Sequence, residues 1–148
     1  MIEKWKTLLH RYREQLLYLI FGGLTTLVDW GISFLLYYFW GEAIEAQIYL
    51  IHAANVIAWA AAVLFAYVTN RIWVFQSPRK GFLPIMSELL TFAGGRVMTL
   101  LLQELIFLVF VDWMRLNEYI IKLGAAVLVV IANYFISKFF VFRKKKSD

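Results

Sequence analysis

Four long apolar stretches set the architecture of this 148-residue chain. They cover residues 16–40, 46–69, 89–111 and 119–140, and each is close to the roughly 20 residues that a transmembrane helix needs. Lipid admits only helices and closed barrels, and unbroken apolar runs of this length are typical of helices. Hydrophobic residues make up 62% of the chain, whereas a soluble domain contains about 45–50%. The sequence therefore predicts an all-α membrane protein, with four transmembrane helices in a single domain over residues 1–148.

The lysines and arginines predict which side of the membrane each helix end faces. Twelve of the fifteen lie near the N-terminus, in the linker at 70–88, or at and beyond the end of the fourth stretch. Because these residues favour the cytoplasmic side, both termini and the linker are predicted to be cytoplasmic. The short loops at 41–45 and 112–118 are then outside. The first apolar run is long and lacks a small-residue cleavage site, so we expect a membrane helix rather than a signal peptide.

A basic and aromatic phrase occurs twice in the sequence. YVTNRIWVF at 67–75 returns as YFISKFFVF at 134–142, and the first and third apolar stretches each contain a glycine pair. The chain is therefore predicted to form two helical hairpins of the same topology, a parallel repeat related by an axis along the membrane normal. The phrase contains Asn70, Arg71 and Lys138. Two interpretations are compatible: anchoring at the membrane surface, or direct contact with an anionic headgroup.

Four ionisable residues lie within the predicted spans, where charge is costly and by default suggests function. From the predicted inner end to the outer end they are Arg96, Asp29, Glu104 and Lys122. One interpretation is that the carboxylates pair with the cations and fasten the bundle. The other is a water-accessible polar cavity that accepts an anionic group. Arginine suits a phosphate because its fork makes paired hydrogen bonds, and lysine offers a point charge to the same group.

Two asparagines extend the candidate site. Asn55 lies on a stripe of small residues in the second helix, where its amide can bond across a close helix contact. Asn133 is eleven residues after Lys122, close to three helical turns, so the two share a face. The candidate lipid-phosphate site therefore comprises nine residues: Arg96, Lys122, Asp29, Glu104, Asn55, Asn133, Asn70, Arg71 and Lys138.

Several classes of function are disfavoured by the residues themselves. The chain has no cysteine, and its two histidines are far apart in the sequence, so we expect no metal site and no cofactor. The sequence contains no glycine-rich phosphate loop and no nucleophile–base pair near a loop. We therefore do not expect an enzyme. The RKKK run at 143–146 directly follows a span, where it is typical of a topology signal and a contact for anionic lipid. We therefore expect no nucleic-acid binding.

Four segments in order carry a resemblance to a known family. They are FGGLTTLVDWGISFLLY, NVIAWAAAVLFAYVTNRIWVF, the arginine after the second glycine pair, and KLGAAVLVVIANYFISKFFVF. From about residue 16 to residue 143 the chain resembles the GtrA-like family of small bacterial membrane proteins. The second phrase has Ser137 and Lys138 where the first has Asn70 and Arg71, so the two halves are not equivalent there.

The resemblance implies a function and a location. It implies a multi-pass protein of the bacterial cytoplasmic membrane that moves a polyprenyl-phosphate-linked sugar across that membrane. The sugar would serve glycosylation of a cell-surface polysaccharide, beside a membrane glycosyltransferase. Two alternative functions stay open. One is a scaffold that recruits the glycosyltransferase without transport. The other is a small cation or proton exchanger that uses Asp29 or Glu104, which the strong charge bias disfavours because such exchangers often insert in both orientations. Small-residue stripes and glycine pairs predict a homo-oligomer, most simply a parallel dimer.

Overall fold

The computed structural model describes residues 2–143 of the chain, and the side chains of residues 6–43, 47 and 49–143. Within that range the α-helices are α1 (Ile2–Arg11), α2 (Arg13–Ala46), α3 (Ile48–Thr69), α4 (Phe82–Phe107) and α5 (Glu118–Ile136). Short π-helical segments continue the last three helices: π1 (Asn70–Val74), π2 (Leu108–Trp113) and π3 (Ser137–Val141). The described residues form no strand. The predicted lipid contact of the lysines at 144–146 lies outside them.

The described residues contain four segments that are long and apolar enough to cross a membrane. They are Arg13–Ala43, Tyr49–Val74, Phe82–Trp113 and Glu118–Val141. Their number and order match the four apolar stretches, so the prediction of an all-α membrane protein with four spanning helices is confirmed. The cytoplasmic placement of the termini, the parallel repeat and the single-domain organisation stay predictions.

The helix boundaries differ from the sequence prediction at two places. The third long helix begins at Phe82, earlier than the predicted residue 89, and Pro84 lies in its first turn. A proline is tolerated there because the first N–H groups of a helix have no intrahelical partner. The first long helix runs on to Ala46 through a kink at Gly41, whose φ of 40° lies in the left-handed region that glycine adopts readily. A hairpin loop predicted at 41–45 is therefore largely helical.

The chain divides into two compact units, residues 1–76 and 77–148, which we name the N-terminal unit and the C-terminal unit. In the N-terminal unit α2 packs along α3, and π1 contacts both helices. Helix α3 has a stripe of buried alanines at four-residue spacing, and such small side chains let membrane helices approach closely. These alanines are Ala54, Ala58, Ala62 and Ala66. Where π1 ends, the Phe75 ring meets the Tyr18 ring of α2 at 6.2 Å between centroids.

In the C-terminal unit α4 packs along α5, and π3 contacts both. Helix α4 approaches α5 closely at Gly95, where a Cβ atom would come within 2.8 Å of the Cγ2 atom of Ile136. At the end of π3 the buried Phe142 ring meets the buried Phe92 ring of α4 at 5.8 Å between centroids. This packing holds π3 against α4 at Phe92, one turn before Arg96.

Candidate functional site

Arg96 is the cation whose surroundings are best defined. Its guanidinium lies over the Phe92 ring, one turn earlier on α4, at 5.1 Å from the ring centroid. Phe92 is 2% exposed and is fixed by Phe142, so the ring is a rigid base for the cation. Within the described part of the C-terminal unit no carboxylate forms an ion pair with Arg96. A cation–π contact uses the face of the guanidinium and leaves its N–H donors available for an anion.

A polar contact between helices lies one turn beyond Arg96. The Thr99 hydroxyl donates to the Asn133 Oδ1 atom of α5 at 2.9 Å, and it also lies within hydrogen-bond distance of the Gly95 and Arg96 carbonyl oxygens. Thr99 is 2% exposed and Asn133 is 5% exposed. Such a buried pair fixes how α4 is positioned against α5, since an unmatched polar group in lipid is expensive. Asn133 was expected from the sequence, whereas Thr99 was missed.

Lys138, in π3, contacts Tyr134 near the end of α5. Its Nζ atom donates to the Tyr134 Oη atom at 3.1 Å and lies 5.4 Å from the centroid of the same ring. The side chain is half-buried. Four-residue spacing on one helical face produces both contacts. The sequence interpretation of Lys138 as a contact for an anionic headgroup stays a prediction.

Glu104 and Lys122 are exposed and do not join Arg96. Glu104 is eight residues after Arg96 on α4, about 12 Å along the helix axis, and Lys122 lies in the first turns of α5. Within the described part of the C-terminal unit these three residues form no ion pair with one another. The alternative that Glu104 neutralises Arg96 and fastens this unit is therefore not supported. The binding roles of Glu104 and Lys122 stay predictions.

Asn70 is the most enclosed candidate in the N-terminal unit. It is 1% exposed at the start of π1, and its Nδ2 atom donates to the Ala66 carbonyl oxygen at 2.7 Å. Its Oδ1 atom is buried and accepts no hydrogen bond from the described residues. A buried polar atom left unsatisfied costs about 1–3 kcal/mol, and π-helical turns are frequent at functional sites. The arrangement is that of an acceptor held in place for a donor from elsewhere.

The other three candidates of the N-terminal unit have surroundings that differ from those of Asn70. The Tyr37 hydroxyl of α2 donates to the Asn55 Oδ1 atom of α3, so Asn55 bonds across a helix contact as its position in the sequence indicated. Asp29 is half-buried on α2 and has no ion-pair partner among the described residues of its unit. Arg71 is half-buried in π1. Their roles in binding stay predictions.

Glu88 was missed by the sequence analysis. It is fully buried on α4, where it accepts a hydrogen bond from the Ser77 hydroxyl at 2.6 Å and lies 3.6 Å from the Arg79 Nε atom. The sequence placed it at the end of a linker, where a carboxylate is unremarkable. Its position as the single carboxylate in the run IMSELLTFA was the available signal. The described residues contain no group of three or more histidines, aspartates or glutamates able to hold a metal ion.

The chain is similar to a known family of membrane domains. Residues 17–142 match the family described as GtrA/DPMS, transmembrane domain. The cell wall teichoic acid glycosylation protein GtcA of Listeria monocytogenes serovar 1/2a is 34% identical, over 98% of this chain and 98% of its own length. The protein of the same name from Listeria innocua serovar 6a is 34% identical, over 88% of this chain and 86% of its own length.

A third relative is the uncharacterized membrane protein YwcD of Bacillus subtilis, 32% identical over 89% of this chain and 98% of its own length. No solved structure matches the chain. The family match spans all four helices, and the relatives are aligned over nearly their whole length. With four apolar helices in addition, the chain is a multi-pass bacterial membrane protein, and it belongs to the GtrA/DPMS transmembrane-domain family.

Proposed function

We propose that this protein translocates a polyprenyl-phosphate-linked sugar across the cytoplasmic membrane for glycosylation of a cell-surface polymer. The observation that carries the proposal is Arg96, a half-buried cation in a spanning helix, held over Phe92 without a carboxylate partner in the described part of its unit. Relatives named for teichoic acid glycosylation support translocation toward the cell surface, since that modification needs activated sugar there.

The chemistry of such a lipid explains why a half-buried arginine is useful. The phosphate and sugar must pass a hydrocarbon layer in which an unpaired charge is very costly, while the polyprenyl tail stays in lipid. Arginine stays charged and offers forked donors that match phosphate oxygens. In the proposal Arg96 receives the phosphate near the inner leaflet, and Lys122 helps to receive it near the outer leaflet.

Neutral polar groups have a separate role in the proposal. Sugar hydroxyls both donate and accept hydrogen bonds, so buried amides suit them better than charges do. Asn70 presents a buried acceptor without a partner among the described residues, and Asn133 is held by Thr99, which lies one turn beyond Arg96 on α4. We propose that these amides contact the sugar or its phosphate. The protein is proposed to act without enzymatic chemistry, beside a membrane glycosyltransferase and as a homo-oligomer.

A cell-based experiment tests the proposal. In the host strain without its own copy, the native protein, Arg96→Ala, Arg96→Lys and the exposed-linker control Lys80→Ala are expressed at matched membrane levels. Sugar on the surface polymer is then measured by compositional analysis. Arg96→Ala should lower it at least about tenfold, the loss of one charge-assisted contact. Arg96→Lys should retain part, because the charge remains and the fork is lost.

The same strains separate transport from scaffolding. If transport fails, lipid-linked sugar should accumulate at the inner face while the glycosyltransferase stays at its normal level in the membrane. Loss of the glycosyltransferase in the Arg96→Ala strain would instead indicate a scaffold. Full surface glycosylation in that strain would contradict the proposed role of Arg96.

A further inference from the structure

A cavity of about 420 Å³ lies in the C-terminal unit, outside the nine candidate residues. Among the residues that the structure describes, two arginines, one serine and two prolines line it: Pro78, Arg79, Pro84, Ser87 and Arg143. The cavity lies where the chain leaves π3 and where the segment before α4 begins the unit. Its volume falls within the range of about 300–1,000 Å³ that small-molecule sites occupy. None of the described residues that line it has a carboxylate, so the charge of this described lining is positive.

A hydrogen-bond network around the buried Glu88 holds Arg79, one of the residues that line this cavity. The fully buried Glu88 accepts from Ser77 at 2.6 Å and lies 3.6 Å from the Arg79 Nε atom, while the Arg79 backbone N–H contacts the Ser77 hydroxyl oxygen at 3.4 Å. Gly81 then turns the chain into α4 with a φ of 91°. The segment that contains Arg79 is thereby fastened to α4. Because Glu88 does not line the cavity, its charge holds Arg79 in place without occupying the space in front of it.

We propose that this cavity binds a phosphate group, with Arg79 and Arg143 as the charged contacts and the Ser87 hydroxyl as a neutral donor. Two arginines that line the same cavity favour an anion with several acceptor oxygens, because each guanidinium can donate two parallel hydrogen bonds to phosphate oxygens. A hydroxyl that both donates and accepts completes such a set. The cavity exceeds the needs of a small inorganic ion, so it has room for the group to which a phosphate is attached.

The main competing interpretation is general attraction between basic residues and an anionic membrane surface. Interfacial arginines and lysines attract anionic lipid without any built site, and that attraction depends on the number of charges and on salt. A built site differs in two ways: binding is saturable, and it depends on the lining residues more than on neighbouring cations. Lys80 is the matched comparison, because it is an exposed cation beside Arg79 that does not line the cavity.

The experiment uses the purified full-length protein in zwitterionic detergent at about 0.15 M salt, where distant surface charges are largely screened. Binding of inorganic phosphate and of short-chain phosphatidic acid is measured by titration calorimetry, with short-chain phosphatidylcholine as the zwitterionic control. The variants are Arg143→Gln, Arg79→Gln and Lys80→Gln. Arg143→Gln carries the test because Arg79→Gln also disturbs the network around Glu88.

The proposal expects saturable binding of at least one phosphate probe, weakened at least about tenfold by Arg143→Gln through loss of a charge-assisted pair. Lys80→Gln should leave the affinity nearly unchanged. Binding of both probes identifies a free phosphate group as sufficient, and binding of phosphatidic acid alone identifies a lipid headgroup; either outcome supports the site. Absence of saturable binding by both probes, or equal weakening by Arg143→Gln and Lys80→Gln, overturns it. The result does not depend on whether Arg96 mediates transport.

Discussion

The two units end their second spanning helices in the same manner, with a π-helical segment that brings a phenylalanine onto an aromatic ring of the preceding helix. In the N-terminal unit Phe75 meets Tyr18, and in the C-terminal unit Phe142 meets Phe92. The polar residues around these pairs differ. The first π-segment opens with Asn70, whose Oδ1 atom has no partner among the described residues, and the third opens with the buried Ser137.

The contacts next to these ring pairs also differ between the units. In the C-terminal unit the same ring that receives Phe142 also supports Arg96, whereas in the N-terminal unit Phe21 stacks on Trp73 at 5.4 Å between centroids. The repeated aromatic ending is therefore a structural device shared by both units. The residues that differ between the units include Asn70 and Arg96, which we propose contact the lipid-linked sugar. This comparison predicts that substitutions in the shared device reduce stability in both units, while substitutions at the differing residues reduce function.

The largest expected effect comes from removing the shared aromatic device. Phe75→Ala and Phe142→Ala each delete a buried ring, a change that costs about 3 kcal/mol in protein interiors. Both variants should show lower thermal stability in detergent, measured by loss of monodisperse protein after heating. The exposed Phe140→Ala is the matched control from the same phrase. A large loss in only one of the two buried variants would break the structural equivalence of the units.

The residues that differ should separate function from stability. Asn70→Ala removes one hydrogen bond to a carbonyl and also removes a buried acceptor without a partner, two changes of opposite sign and similar size, about 1 kcal/mol each. Stability should therefore change little, while surface glycosylation falls severalfold. Ser137→Ala, at the corresponding position of the C-terminal unit, should leave glycosylation close to normal. The opposite ranking of the two variants would remove Asn70 from the binding site.

The smallest expected effect concerns the bond between α4 and α5. Thr99→Val removes the hydroxyl that donates to Asn133, and polar contacts between membrane helices contribute about 0.6 kcal/mol on average. A double-mutant cycle with Asn133→Leu, read by thermal stability, should give a coupling of that order. Additive effects of the two substitutions would show that the hydrogen bond does not stabilise the helix pair.

Much of the fold followed from hydrophobicity, and less of the site did. Long apolar runs form helices in lipid, so the number and order of the helices were predictable. The helix boundaries were less predictable, because a kinked helix continues through Gly41 and Pro84 fits within a first helical turn. Arg96 and Asn133 were visible as polar residues in apolar surroundings.

The residues that were missed are those whose importance depends on a partner. Phe92 looks like any apolar residue until its ring is found to contact both Phe142 and Arg96. Thr99 satisfies its hydroxyl within its own helix as well as across to Asn133, so the sequence alone does not indicate the second bond. Glu88 was assigned to a loop, where its charge needs no explanation. Tertiary contacts, rather than local pattern, define all three.

The most direct test of the account measures translocation with the purified protein alone, without any glycosyltransferase. Proteoliposomes that contain a polyprenyl-phosphate-linked sugar are treated with an impermeant sugar-oxidising reagent, and the fraction of the lipid that becomes accessible is followed with time. The account predicts that the native protein and Lys80→Ala expose the inner-leaflet pool, and that Arg96→Ala at equal protein content exposes only the outer-leaflet pool. Equal rates for the native protein and Arg96→Ala, or no acceleration by the native protein over empty liposomes, would contradict it.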